Sequence, residues 1–500
     1  MFRSFSLSAL ALAAATTAAG AQDIAQSGSQ WYTDAEALIA RMTAHQPNTG
    51  RAKNVILFVA DGNGVASNYM SRMWAGQQAG GMGDDYVQPH EAFPELALVR
   101  TYNINAQTPD SAPTAGAMNT GVKQRFNLIN LGENAVTEDC TTEAANELTL
   151  FSELMTEAGK SVGAITSARL THATPAAVYA KTAYRDWEGE VPAECTNSRD
   201  IARQMADAVA AGTLDVALGG GARYFVPQGQ QTDFGGKSSR KDDRDLMAQM
   251  RQAGATLVSD KAALAAAADD DTPLIGLFSD SHMSYEADRP DSEPSLSDMV
   301  AKAIAKLSTN GNGYYLEVES GRVDHANHAT NAKRAMIDGK AFADAIALAD
   351  EMTDDADTLI IVTADHEHAI AMNGYCGRGT PIDGLCMDIS TTGIEHSGEP
   401  VLADDGKPYT VVGYLNGASS VMVEQADKTF AAPEGRPEIT QEMAQDIDYN
   451  QQVLIPKSSE SHSGVDVALY AKGPWAHLFN GTIEQNYIFH VMNYAVSNGE

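Results

Sequence analysis

No stretch of this 500-residue sequence is apolar for long enough to span a bilayer, and neither an internal repeat nor a heptad seam runs through it. Those absences leave no sign of a membrane-crossing helix, a solenoid or a coiled coil. Basic residues are scarce: 34 Lys and Arg stand against 66 Asp and Glu, a formal net charge of −32. Without a basic stripe the chain lacks the footprint of a nucleic-acid-binding protein. Its overall field does nothing to draw in an anionic substrate either. Any anion site must therefore be built locally, from metals, arginine and helix N-termini. The acidity fits a salty habitat, where mobile ions screen self-repulsion. Cysteine is scarce too. Four residues allow three pairings; Cys376 and Cys386 share one Gly-rich loop and can close a short ring, leaving Cys140 and Cys195 for a second bridge.

What is present begins with a leader. Arg3 precedes an Ala- and Leu-rich run from Phe5 to Ala19, and Ala19-Gly20-Ala21 supplies small residues for cleavage before Gln22. Residues 1–21 read as a secretory signal peptide and are set aside from the fold. Export to a periplasm or the medium follows, and there paired cysteines are favoured over free thiols.

The remaining chain, with 43% hydrophobic residues overall, can bury a large core. Val55 to Ala60, Val162 to Thr166, Val216 to Leu218, Tyr314 to Val318 and Thr358 to Thr363 are short apolar runs of the kind buried in parallel sheets. Helical patterns lie between them, at Ala35 to Met42, Ser67 to Gly76, Leu148 to Gly159, Ile201 to Ala210, Ser295 to Leu307 and Ala332 to Met352. Ser295 and Asp298 form a capping box. Val465 to Tyr470 reads as an outer strand. The alternation predicts an α/β three-layer sandwich around a mostly parallel central sheet. Residues 22–500 form one domain on this reading. From 373 to 457 the texture turns to Gly, Pro and short alternating runs, an insertion of loops and small strands outside the sheet.

In such folds ligands collect beyond the carboxyl ends of the strands. Three strand ends here carry acids: Asp61, then Glu319 with Asp324, then Asp365 beside His366. Asp324 and His328 stand at i and i+4, on one face of a helical turn, and His462 adds an imidazole from a fourth place. Singly, each is as consistent with a turn or cap residue. Together, oxygen and nitrogen donors suit two zinc-like sites, with Thr174 and Glu319 serving an oxygen-rich site for magnesium. Two metals about 3.5–4 Å apart can clamp the attacking and leaving oxygens of an in-line displacement. Ser111 opens a small-residue helix, either as its N-cap or as a nucleophile activated by metal. Arg185 suits either a surface ion pair with Asp186 or Asp110, or a fork on phosphoryl oxygens.

Asp61-Gly62-Asn63-Gly64, Asp110-Ser111-Ala112, Thr171-His172-Ala173-Thr174-Pro175, Glu319 to His328, Thr363-Ala364-Asp365-His366 and Glu460-Ser461-His462 occur in the order seen in alkaline phosphatases. The sequence resembles that family from about Lys53 to Tyr494. It is closer to the animal enzymes than to the enteric bacterial type, which has Asp and Lys in place of His172 and His325. Cys140 and Cys195 also fall where an animal-type disulfide lies. The resemblance implies hydrolysis of phosphate monoesters through a phosphoserine at Ser111, with two zinc ions and one magnesium per subunit. It places Asp324, His328 and His462 on one zinc, and Asp365, His366 and Ser111 on the other. Asp61 bridges to magnesium, which Thr174 and Glu319 complete and His172 reaches through water. Asp110 positions Arg185, His325 orients a phosphate-linked water, and His368 lies near the zinc pair without an assigned role. A homodimer is implied as well.

Pro113 and Asn63 depart from the family's usual residues. Ser279, after Phe278, stands where the animal enzymes have an acidic calcium ligand, so calcium is not expected. Three rival readings remain. A sulfatase is disfavoured because Ala115 occupies the position where its maturation motif needs Arg. A phosphodiesterase of the same superfamily shares the metal cage. A non-catalytic periplasmic phosphate- or zinc-binding protein shares the ligands without turnover.

Overall fold

The computed structural model describes residues 24–498, so the expected leader at 1–21 lies outside the described residues. Residues 24–46 form a unit of their own, dominated by helix α1, Gln30–Ala44, longer at both ends than the expected Ala35 to Met42.

Ten strands build the central sheet of the second unit. In chain order they are β1 (Asn54–Ala60), β2 (Glu95–Arg100), β3 (Ser161–Arg169), β4 (Val216–Gly220), β5 (Thr256–Val258), β6 (Leu274–Leu277), β7 (Tyr314–Ser320), β8 (Thr358–Ala364), β9 (Val467–Lys472) and β10 (Gly481–Glu484). Their spatial order is β10-β2-β9-β8-β1-β7-β3-β4-β6-β5. Every neighbouring pair is parallel except those that β9 makes with β2 and β8.

That arrangement corrects one expectation. The strand at 467–472 is not outer, because β2 and β10 lie beyond it. Both were passed over in the sequence for a physical reason: β2 leaves Leu96 and Leu98 exposed, and β10 is four residues, two exposed and two half-buried, so neither shows a buried apolar run.

β1 shows why the fold has three layers. Val55, Leu57 and Val59 pack into one core with Phe151, Met205 and Val491; Ile56, Phe58 and Ala60 pack into another with Met299, Ile304 and Ile346. Successive side chains of a strand point to opposite faces, so a strand apolar at every position must be covered on both. The helix Leu296–Leu307 covers the second face. Its Ser295 cap is in place, with Asp298 N donating to Ser295 Oγ at 3.1 Å and Ser295 N to Asp298 Oδ2 at 2.9 Å.

Within 373–457 the chain forms short strands, such as Val423–Glu424 paired with Phe430–Ala431 and Val412–Tyr414 paired with the preceding Ile370–Met372, and one four-residue helix, Gln441–Ala444. Both disulfides form as paired above, Cys140 with Cys195 and Cys376 with Cys386.

Candidate metal centre

Strand register brings the acids to one level. β8, β1, β7 and β3 lie side by side and parallel, with Ala60 opposite both Ala364 and Ser320, and Glu319 opposite Thr166. Asp61 and Asp365 therefore leave their strands as neighbours, with Glu319 one residue before the end of the strand between β1 and β3. The turn after β1 needs Gly62: its φ is +68°, and a Cβ there would sit 2.3 Å from His368 Nε2. The reversed direction of β9 matters here. Its first residues lie at the carboxyl edge of the parallel strands, and His462 precedes it, pairing with His368 in a short antiparallel ladder.

A first grouping forms around Asp324. Its Oδ1 lies 3.3 Å from His328 Nε2 and 3.4 Å from His462 Nε2, and the two imidazole nitrogens are 3.1 Å apart. A second forms around His366, whose Nε2 is 3.1 Å from Asp61 Oδ1 and 3.5 Å from Asp365 Oδ2. Ser111 Oγ joins it, 3.2 Å from Asp61 Oδ1 and 3.3 Å from His366 Nε2. The His366 and His462 rings stack at 3.5 Å between centroids, so the two groupings share a wall. In a third, Asp61, His172 and Glu319 place one potential ligand atom each within 4.8 Å of one another. The hydroxyls of Thr166 and Thr174 face Glu319.

Ser111 is not an N-cap. It is the first residue of the helix Ser111–Thr120, and Asp110 holds the cap position without capping. The Asp110 carboxylate is engaged elsewhere, accepting from Arg185 Nη1 and, at 2.7 Å, from Asn127 N. Arg185 Nη2 donates to His172 Nε2 at 3.0 Å. The serine hydroxyl, relieved of capping, turns to the acids and imidazole.

Sequence reasoning left His368 without a role and passed over the Glu460 carboxylate. His368 Nε2 sits 3.0 Å from Asp324 Oδ1, and its Nδ1 meets Glu460 Oε2. Glu460 Oε1 accepts from Ala369 N at 2.8 Å, and its backbone oxygen accepts from His328 Nδ1 at 2.6 Å. Burial opposes a charge on His368, but the two carboxylates outweigh it and push its pKa up to about 10. The one signal in the sequence was that Glu460 stands two residues before His462.

A model of the family described as alkaline phosphatase matches residues 52–498. The chain belongs to the alkaline phosphatase family. It is 37% identical over 468 residues to the alkaline phosphatase of Gadus morhua, covering 91% of this chain and 93% of that one. To the tissue-nonspecific isozyme of Homo sapiens it is 36% identical over 468 residues, covering 90% and 85%. The fold is shared with alkaline phosphatases from Thermus thermophilus (TM-score 0.62, 23% identity, 91% and 93% covered) and from the Antarctic bacterium TAB5 (0.60, 22%, 89% and 98%).

Electrostatics test whether these residues suit the metal ions of an alkaline phosphatase. Asp61, Glu319 and Asp365 are wholly buried and Asp324 is 4% exposed. Desolvation, then repulsion from neighbouring carboxylates, drives Asp61 well above the usual carboxylate range. Burial raises Glu319 to about 7 and raises Asp365 as well. Asp324 alone is held low, because His328, His368 and His462 overcome its burial. Asp61 Oδ2, Glu319 Oε1 and His366 Nδ1 are buried without a hydrogen-bond partner among the described residues. Crowded buried carboxylates with idle lone pairs are costly without a counter-charge. Bound cations remove both penalties, and oxygen and imidazole donors are the ones zinc and magnesium take. The donor set fits.

Proposed function

We propose that the chain hydrolyses phosphate monoesters to an alcohol and inorganic phosphate, with Ser111 as nucleophile and a phosphoserine intermediate. The observation that carries this is the Ser111 hydroxyl at a helix N-terminus, 3.2 Å from Asp61 and 3.3 Å from His366, beside an Arg185 aimed by Asp110. We assign Asp324, His328 and His462 to one zinc, and Asp365, His366 and Ser111 to a second. Asp61 would serve both the second zinc and a magnesium that Thr174 and Glu319 would also hold. When bound, these ions supply the positive charge that favours an ionised serine oxygen and offsets charge building up on the phosphoryl group and leaving oxygen.

The chain's own residues do the rest. The helix dipole at Ser111 favours the anion there. Arg185 forks onto two non-bridging oxygens and fixes the phosphoryl group for in-line attack by Ser111 Oγ. The ester oxygen departs on the far side. A water then attacks the phosphoserine from the vacated side, breaking the Ser111 Oγ–phosphorus bond and releasing inorganic phosphate; His325 would orient water at the phosphate, and His172 would act through water beside Thr174 and Glu319. Export is proposed on the strength of the two disulfides, and a homodimer on family membership alone.

The experiment is turnover of an aryl phosphate monoester against the matching diester, with and without chelator. Monoester turnover should dominate, vanish on chelation and return with zinc plus magnesium. A preference for the diester, or binding without turnover, would replace this reading with one of its rivals. Ser111→Ala should remove steady turnover and the trapped phosphoserine; a variant that still turned over at the native rate would rule out the covalent route.

A further inference from the structure

Beside the Arg185 fork lies a third imidazole, His282, which no family motif named above includes. It stands in the loop after β6, its chain fixed next door by Met283 N donating to Ser167 O at 3.1 Å. Its ring centroid is 4.1 Å from that of His325, at 60°, and 5.4 Å from that of His172. This is close contact for aromatic rings. Each of the three rings is engaged by its own arginine: His282 Nε2 by Arg169 Nη1, His172 Nε2 by Arg185 Nη2, and His325 Nδ1 by Arg322 Nη1.

Arginine only donates, so each of those ring nitrogens must be the acceptor, and the ring proton sits on the other nitrogen. His325 is thereby fixed as the tautomer with its N–H at Nε2. His282 and His172 carry theirs at Nδ1, buried and without a partner among the described residues.

Behind His282 the anchor is firm. Arg169 is held at two points by Glu188, Nε to Oε2 at 2.8 Å and Nη2 to Oε1 at 2.7 Å. Glu188 also accepts from Thr171 Oγ1 at 2.5 Å and Tyr224 OH at 3.3 Å. Both Arg169 and Glu188 are largely buried, so the pair is geometrically specific in a way exposed pairs are not.

We propose that His282 is a positioning residue for phosphate-ester hydrolysis: tied to Arg169 and Glu188, it holds the His325 ring in the orientation that serves the phosphoryl site. The proposal deepens the reading given under Proposed function and rests on its placement of His325 at the phosphate. Small misplacements of a group that orients a reactant cost large factors in rate.

The test is a double-mutant cycle on the metal-loaded full chain, with zinc and magnesium content and melting temperature checked for each variant. His282→Ala should lower kcat/KM for an aryl phosphate about tenfold and raise the inhibition constant of inorganic phosphate by a similar factor. His325→Ala should do at least as much. Because His282 acts through His325, the double variant should be no worse than His325→Ala alone. Should His282→Ala fail to fold or lose metal, His282→Gln, which keeps an acceptor for Arg169, takes its place in the cycle. Losses that multiply in the double variant overturn the proposal, as does an unchanged phosphate inhibition constant in the His282 variant. Full activity in His325→Ala overturns the placement of His325 and this proposal with it.

Discussion

Asp324 accepts contacts from three imidazoles, and His368 is the one whose far nitrogen meets the Glu460 carboxylate directly, while His328 Nδ1 lies 3.9 Å from it. The run Glu460–His368–Asp324 has the form of an outer layer that fixes the aim of an inner ligand. Losing such a partner typically costs about 10–100-fold in metal affinity or activity. Glu460→Gln should therefore weaken metal retention within that range while leaving secondary structure intact; competition with a chelator measures it. Retention equal to that of the native protein would mean Glu460 serves the backbone of residue 369 alone. At Gly62 the constraint is steric. Gly62→Ala places a methyl 2.3 Å from His368 Nε2 in a backbone with φ +68°. The expected result is loss of most activity together with a lowered melting temperature, since both the turn and His368 must shift.

At the scale of elements, the helix Ala332–Met352 carries an unusual burden. Asp338 faces inward, 4% exposed, and accepts the Glu286 amide at 3.2 and 3.3 Å. Desolvation raises its pKa from 3.8 to about 8, against the pull of Arg322 and the amide. A carboxyl that binds its proton more tightly in the folded state stabilises the fold fully below about pH 4, and that contribution is lost as pH rises through about 8. Asp338→Asn keeps an acceptor for the amide and removes the titration. The melting temperature of the variant relative to native should climb between about pH 4 and pH 8 and level off above that. Parallel curves would show that Asp338 ionises at its ordinary value. The capping box of the helix Leu296–Leu307 needs no tertiary help, since its two partners are three residues apart, and it was readable as written.

For the whole molecule the dominant fact is the net charge of −32. Lysine and arginine pair with many of the acids, but 66 acids outnumber 34 basic residues, and the excess repels across the surface. Raising ionic strength shortens the range of that repulsion, from about 10 Å at 0.1 M salt to about 3 Å at 1 M. Thermal stability at fixed zinc and magnesium should rise from low to molar sodium chloride. A flat response would mean that the surface ion pairs already balance the excess.

The sequence by itself determined the layers and which acids stand at the ends of the central strands. Apolar runs at Val55, Tyr314 and Leu359 can only be buried on both faces, and acids at their ends can only gather at one edge of a parallel sheet. Those are local patterns with a period that the chain carries within a few residues. Tertiary structure alone decided the rest. It reversed β9, so that the approach to an inner strand delivers His462. It set Ser111 inside its helix with Asp110 at the cap position, made the contact of Asp110 with Arg185 that the family resemblance had implied, and joined His368 to Glu460 and Arg169 to His282. In each case the partners are far apart in the chain, 75, 92 and 113 residues for the three side-chain pairs. No local periodicity marks them, because what pairs them is the packing of whole elements and the need of each buried polar group for a partner.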